Sequence, residues 1–486
     1  MDRKAGVLMP IFSLPSNHYI GDFGKKAYEF VDIIKNAKFK VWQILPLNPV
    51  GYGNSPYQPY SSYAGEEIYI SIDKLQDLGL VKEVEEIVYN KEKVDYEKAR
   101  EFKYKYFKEA YSTMVEKGIL KDEFLKFKED NNWVQTYATF ITLKKKNDLK
   151  CWIDWETEDK NWINTKKDLP QLKDNIEYEM FIQFLFYKQW FELKEYANKN
   201  NIEILGDIPI YVGIDSVDVW ENKENFLLDE EGRPTFIAGV PPDYFSVTGQ
   251  RWGNPIYDWD YLEKNNFKFW IDRLSWSKKI YDIIRIDHFR AFDTYWKIPA
   301  SCETAIDGDW IEAPGYALFD TIYRELPDIK IVAEDLGELR PEVLELRDHY
   351  KLSGMKILQF EIDPNEKNND FAETERTILY TGTHDNQTLK GAYERFTKKQ
   401  QAKIRKMFRG YKADNILDKM IYRCFDSVSN LVVIPTQDIL NINDRARLNT
   451  PSTIGSPNWE WRLNTYYNLN KKIQKYNDWI LKTNRY

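Results

Sequence analysis

The chain has 486 residues, enough for one large barrel with insertions or for two to three ordinary domains. Hydrophobic residues make up 43% and charged residues 30%, which excludes a disordered chain, and no apolar run is long enough to span a bilayer. The net charge of −8 argues against nucleic acid or an anionic membrane as partner, and three scattered cysteines (Cys151, Cys302, Cys424) fit neither a disulfide framework nor a zinc pattern, so a reducing, cytoplasmic setting is expected.

The N-terminal stretch imitates a signal peptide only faintly. Pro10 interrupts its apolar run and no small-residue cleavage site follows, so a first strand is expected over 5–12. An amphipathic helix follows over 25–37, with Phe30, Ile33 and Ile34 inward, and then a second strand over 40–45. Gly51 to Tyr60 is dense in Gly and Pro and reads as an irregular loop; its glycines are wrongly spaced for a phosphate-binding loop. From about 51 to 200 the texture is mostly helical. Phe102, Tyr106, Tyr111 and Met114 recur at helical spacing, Lys144-Lys145-Lys146 reads as a solvated face, and a helix over 178–198 carries Phe181, Phe184, Leu185 and Phe191 as its core stripe.

Strand–helix alternation then resumes. A strand over 202–205 ends in Gly206-Asp207, and Val212 to Tyr257 follows without clear periodicity, as a lid or binding loop would. Further strands are expected at Ile283–Ile286, Ile331–Ala333, 356–360, 378–380 and 431–434. Eight strands, most separated by helical patterns, predict an α/β fold: a single (β/α)₈ TIM barrel over 1–486. Its helical insertion (51–200) lies between strands 2 and 3, and a lid insertion (212–275) lies between strands 3 and 4, at the C-terminal rim. A doubly wound sheet is the alternative, but no dinucleotide fingerprint follows the first strand.

Four strand ends carry Asp207, Asp287, Glu334 and Asp385, with Arg285 and His384 beside them. A single strand-end acid is often a helix cap. Acids from several strands converging on one rim are harder to explain that way, because like charges held together must shift in protonation or find partners. Such a cluster suits either a hard-metal site or glycoside chemistry. The 16 Trp, 33 Tyr and 26 Phe favour the second, since flat rings stack on pyranose faces, and neither metal nor cofactor is expected. A retaining glycosidase mechanism needs one carboxylate ionised and one protonated. Arg285, two residues before Asp287 on the same strand, projects to the same side and favours the ionised form there.

These residues carry a resemblance. Arg285-Ile-Asp287-His-Phe-Arg, Ala333-Glu334-Asp335-Leu-Gly337 and Gly382-Thr-His384-Asp385-Asn386 resemble the signature set of the 4-α-glucanotransferases (amylomaltases, or disproportionating enzymes), relatives of the α-amylases. The loops at Asn54-Ser55-Pro-Tyr57, Gly206-Asp207-Ile-Pro, Gly249-Gln250-Arg-Trp252-Gly-Asn-Pro, Gln437-Asp438 and Asn458-Trp459-Glu-Trp461-Arg462 agree. The resemblance implies a compact family member acting on maltooligosaccharides and α-1,4-glucans as donor and acceptor. It implies Asp287 as nucleophile, Glu334 as acid and then base, and Asp385 as the group that holds sugar hydroxyls. It further implies Arg285 orienting Asp287, His384 and Asp207 in the donor subsite, and Tyr57 stacking beneath the donor ring; Ser55, Asp243, Gln250, Trp252 and Asn449 would bind substrate around them. Ala291, Gln387, Ala392-Tyr393 and Ser452 depart from the usual family pattern without replacing any proposed catalytic group. Plain α-glucan hydrolysis on the same residues and non-catalytic glucan binding are the competing functions, and the intact acid set argues against the latter.

Overall fold

Runs rich in Ile, Val and Leu build a parallel sheet in the computed structural model, which describes residues 3–242, 246–365 and 371–486. In chain order the strands are β1 (Lys4–Leu8), β2 (Val41–Gln43), β3 (Glu203–Ile208), β4 (Phe236–Val240), β5 (Gln250–Pro255) and β6 (Ile283–Ile286). There follow β7 (Thr294–Pro299), β8 (Asp309–Glu312), β9 (Ile331–Ala333), β10 (Gly354–Ile357), β11 (Thr377–Tyr380) and β12 (Leu431–Pro435). Eight of these pair in parallel in the order β10-β11-β12-β1-β2-β3-β6-β9. The ring draws shut between its two ends: Val332 bridges Ser353, and the Ala333 N–H donates to the Ser353 carbonyl at 2.9 Å. These eight strands are the eight expected from sequence, arranged as a (β/α)₈ barrel.

Burial follows from the architecture. Parallel strands covered by helices outside and side chains inside are apolar on both faces, as the fully buried β2, β6, β9, β11 and β12 are. The helix Lys25–Asn36 lays Ala27, Phe30, Val31, Ile33 and Ile34 on the barrel. The helices Tyr96–Lys117, Lys121–Asp130, Trp133–Lys146 and Lys173–Lys199 lie between β2 and β3. Among the described residues no helix is long and apolar enough to cross a membrane.

Several local expectations are corrected. The first strand ends at Leu8, because Pro10 has no N–H to continue the ladder and Ile11–Ser13 turns as a 3₁₀ helix. The sixth barrel strand stops at Ile357, and Leu358–Glu361 coils, leaving Phe360 63% exposed. Lys144 is not on a solvated face: its ammonium is buried against Asp215 at 2.5 Å and lies over the Tyr60 ring. Phe191 leaves the core stripe at 37% exposure, its place taken by Trp190 and Leu193.

The largest departure lies in the segment read as an irregular lid. It contributes β4 and β5 to a second, antiparallel sheet of order β5-β4-β7-β8. Two features hide it from periodicity. A register shift interrupts the β4–β5 ladder between Ile237 and Gly239, and β4 pairs with β7 across some fifty intervening residues rather than in a hairpin.

Candidate active site

Strand register brings the charged groups together. Asp207 on β3 is paired with Arg285 on β6, so their side chains rise on the same side of the sheet. Gly206 must be glycine there, since a Cβ would come within 2.2 Å of the Tyr281 ring that packs beneath it. One residue past β6, the Asp287 N–H donates to the Ile208 carbonyl at 3.0 Å; one residue past β9, the Glu334 N–H donates to the Ile286 carbonyl at 3.0 Å. Both acids therefore stand on backbone still held by the barrel. After Asp287 the chain turns through His288 in a left-handed conformation (φ 53°), a strain of about 1–3 kcal/mol for a non-glycine residue. That turn aims the His288 N–H at Glu334 Oε2, 2.7 Å away, and Leu336 N–H donates to the other oxygen at 3.1 Å.

Beneath the rim lies a closed ion network. Arg285 Nη1 donates to both oxygens of Asp207 (2.8 and 2.6 Å), and Arg285 Nη2 lies 3.0 Å from Asp287 Oδ1. The Tyr57 hydroxyl donates to Asp207 Oδ2 at 2.6 Å. The side chains of Asp207 and Arg285 are 0% and 4% exposed, whereas Asp287 keeps 30% and faces solvent. A buried guanidinium is tolerable only because carboxylates surround it.

The two candidate catalytic acids are placed differently in this field. Burial pushes Asp287 up to about 6, against the pull of Arg285 and with Asp207 and Asp385 adding to the rise. Burial pushes Glu334 up to about 7; Arg285 and the two backbone N–H groups pull it down, and Asp287 pushes it up. Arg285 touches Asp287 directly, so Glu334 is the group that keeps its proton to higher pH. Asp385 goes the other way. Burial raises it, but the His384 imidazole (Nε2 to Oδ2, 3.3 Å) and the Asn449 amide (2.6 Å) outweigh that and hold it well below the usual carboxylate range. His384 is raised in turn, its burial overcome by Asp385.

Asp287, His384, Asp385 and Asn449 border a cavity of about 860 Å³ whose wall also includes Ser55, Tyr57, Gln250 and Trp252. Glu334, Asp207 and Arg285 are not part of that wall; Asp207 and Arg285 lie under its floor. Tyr57 stacks on His384 (5.1 Å between centroids, 17°), and Trp459 leans on both rings. Elsewhere on the wall Trp252 meets the ring of His288 edge-on at 4.8 Å, with its indole N–H on Gln250 Oε1 at 3.2 Å. The antiparallel sheet thus reaches the cavity through β5. Asp243, also expected here, lies outside the described residues, as do Tyr244 and Phe245. Arg447, whose guanidinium donates to the Asp385 carbonyl at 2.7 Å, was not legible from sequence, because only the folded loop brings it there. Among the described residues no group of three or more His, Cys, Asp or Glu side chains is arranged to hold a metal ion. A hollow of about 580 Å³ at the other end of the barrel presents ion pairs instead of converging acids: Glu203 there pairs with Lys4 and Lys330 at 2.5 and 2.8 Å.

Acids raised from several strand ends over one aromatic-walled cavity define a (β/α)₈ barrel of the carbohydrate-active kind. Comparison with known proteins is consistent with that class and narrows it. The family model described as 4-alpha-glucanotransferase (glycoside hydrolase family 77) matches residues 9–468, and the chain belongs to that family. It is 42% identical over 472 residues to a 4-alpha-glucanotransferase of Streptococcus pneumoniae, covering 95% of this chain and 93% of that one. It is 40% identical over 480 residues to the 4-alpha-glucanotransferase of Thermus thermophilus, covering 95% of each. Among solved structures, the amylomaltase from Streptococcus agalactiae in complex with acarbose superposes with a TM-score of 0.93 at 37% identity, covering 99% of both chains.

Proposed function

We propose that the protein is a retaining 4-α-glucanotransferase that moves segments of α-1,4-linked glucan from one oligosaccharide to another. The observation that carries this reading is the pair of rim carboxylates in unequal fields, Asp287 against Arg285 and Glu334 on two backbone N–H groups. In the first half-reaction an Asp287 oxygen attacks the anomeric carbon of the donor. The glycosidic C–O bond breaks and Glu334 gives its proton to the departing 4-oxygen, leaving a glucosyl ester on Asp287. In the second half, Glu334, now a carboxylate, takes the proton from the 4-hydroxyl of an acceptor sugar as that oxygen attacks the same carbon. The ester bond breaks and Asp287 is released as a carboxylate. Two inversions restore the α configuration.

Asp385, kept ionised by His384 and Asn449, binds hydroxyls of the donor ring and favours its flattened, positively charged transition state. Asp207 acts through Arg285, holding the guanidinium that orients and ionises Asp287, and His384, Tyr57 and Ser55 line the donor side. Gln250 and Trp252 offer a ring and an amide to the acceptor, and together they help to keep water from the ester. A cytoplasmic location accords with three unpaired cysteines.

Incubation with maltotriose, with glucose, longer oligomers and total reducing ends read separately, tests the reaction. Transfer yields glucose and longer oligomers at constant reducing ends. A rise in reducing ends matching the glucose released would make the enzyme a hydrolase on the same residues, and no conversion would make the site a binding module.

A further inference from the structure

His384 and Asp385 ride on the loop between β11 and the helix Leu389–Arg395, and that loop is gripped from behind by two carboxylates that do not line the cavity. Asp438 belongs to the short helix Thr436–Ile439 that follows β12 and is 2% exposed. Its Oδ2 accepts the Thr381 hydroxyl at 2.6 Å and its Oδ1 accepts the Leu389 N–H at 2.7 Å, so one side chain pins both ends of the loop. Asp444, in the following turn, accepts the Thr388 N–H at 3.0 Å and the side-chain amide of Gln387. Gly391 leaves room for this approach, since a Cβ there would lie 2.0 Å from Asp444 Oδ1. The same segment then reaches the loop's centre: Arg447 donates to the Asp385 carbonyl at 2.7 Å and the Asn449 N–H to the His384 carbonyl at 3.1 Å.

A buried acid without a cation beside it is costly to a fold. Burial pushes Asp438 up to about 7, with the Thr381 hydroxyl and Leu389 N–H drawing it down and Asp444 adding to the rise. A helix cap explains the bond to Leu389 and nothing more. It does not explain why the second oxygen reaches Thr381 at the loop's other end, nor why Asp444 repeats the grip at Gln387 and Thr388, two and three residues beyond Asp385.

We infer that Asp438 and Asp444 are positioning residues for the glucan-transfer site: through Thr381, Gln387 and Thr388 they hold the loop so that Asp385 and His384 meet the donor sugar in the reacting geometry. The inference rests on the function proposed above and deepens it.

A double-mutant cycle tests it, using Asp438→Asn, Asp385→Asn and the two combined, on whichever product the parent makes from maltotriose. Asp438→Asn should lower kcat by roughly 10²-fold, the cost of a misplaced group, with KM changed far less. In the Asp385→Asn background the same change should have almost no further effect. Losses that multiply would overturn the inference, since a general loss of structure acts whether or not Asp385 is present. Asp444→Asn, at a half-buried position, supplies the same cycle if Asp438→Asn does not fold.

A second readout does not depend on activity. The chain has four histidines, so the His384 imidazole can be followed by NMR titration; Asp385, Arg285, Asp207 and Asp287 are charged groups acting on it, and the Tyr57 ring stacks against it. Thr381→Val cuts the tie to Asp438 without changing any charge and should let the His384 pKa fall toward its ordinary value. An unmoved His384 titration would overturn the inference even if the protein proved to catalyse no transfer.

Discussion

The floor of the cavity and the sheet that walls it are built on opposite principles. Under the floor, Asp207 and Arg285 are buried and paired with each other across neighbouring strands in register, and the half-buried Tyr57 is tied to them by its hydroxyl. The wall at β5 offers Trp252 and Gln250, half-exposed side chains joined by a hydrogen bond from the indole N–H to the amide oxygen. Charge stabilisation at a reacting centre demands fixed dipoles in a dry environment, where each ångström counts. Acceptor recognition has to admit sugars of different lengths, and ring faces with a spare amide do so without rigid pairing. Removing a floor residue should therefore stop chemistry or unfold the site, whereas removing a wall residue should redirect it.

The largest effect is expected for Asp287→Asn. Replacing the nucleophile should cost at least roughly 10⁴-fold in turnover while leaving maltotriose binding measurable by calorimetry. Activity within roughly tenfold of the parent, about 1.4 kcal/mol in barrier, would remove Asp287 from its role.

Glu334→Gln comes next. Loss of a general acid should slow a maltosyl donor by roughly 10²–10⁴-fold and an α-glucosyl fluoride, whose leaving group needs no proton, far less. Equal slowing of both donors would argue against the assignment. The pH profile sharpens the same point: activity should rise as Asp287 ionises near pH 6 and fall as Glu334 ionises near pH 7, and the Gln variant should lack the alkaline fall. Stability runs with the opposite sign from that of a salt-bridged acid. Glu334 is raised from 4.5 to about 7, so between those values the folded state holds a proton that the unfolded state has lost, and stability falls as pH rises. Glu334→Gln should consequently be more stable than the parent at pH 8, by on the order of 3 kcal/mol, and nearly equal to it at pH 4.

Asp207→Ala tests the floor as a structure. It strands a buried guanidinium and should cost about 3–5 kcal/mol in chemical denaturation, along with most of the activity. A loss under about 1 kcal/mol, the scale of an exposed pair, would mean that the network is more hydrated than its burial indicates.

Trp252→Ala should be the mildest change and the most informative about the wall. The glucosyl ester should still form within about threefold of the parent rate, well inside one factor of ten or about 1.4 kcal/mol. The ratio of hydrolysis to transfer should rise, measured as reducing ends gained per glucose released. An unchanged ratio would place water exclusion elsewhere in the cavity.

Much of this was legible in one dimension because barrel strands are short apolar runs that end where they meet the rim. Ile283-Ile284-Arg285-Ile286 followed by Asp287, and Ile331-Val332-Ala333 followed by Glu334, signal both strand and site, since a charged residue after a buried run has to pair or react. The eight strands, their order along the chain and the converging acids all followed from such local signals. Other features depended on residues far apart. Lys144 looked like part of a solvated triplet until Asp215 was brought beside it, and β4 looked like loop until β7 supplied its partner. The division of labour at the site had the same origin. Spacing could place Arg285 beside Asp287, but only the register of β3 against β6 showed that Asp207 closes on that guanidinium beneath the floor, and only the folding of the chain after β12 delivered Asp438, Asp444, Arg447 and Asn449 to the loop of Asp385. Periodicity and side-chain chemistry are properties of neighbours in the chain. Register, burial and the choice of ion-pair partner are properties of neighbours in space, and they decide which acid of the cluster is ionised and which keeps its proton.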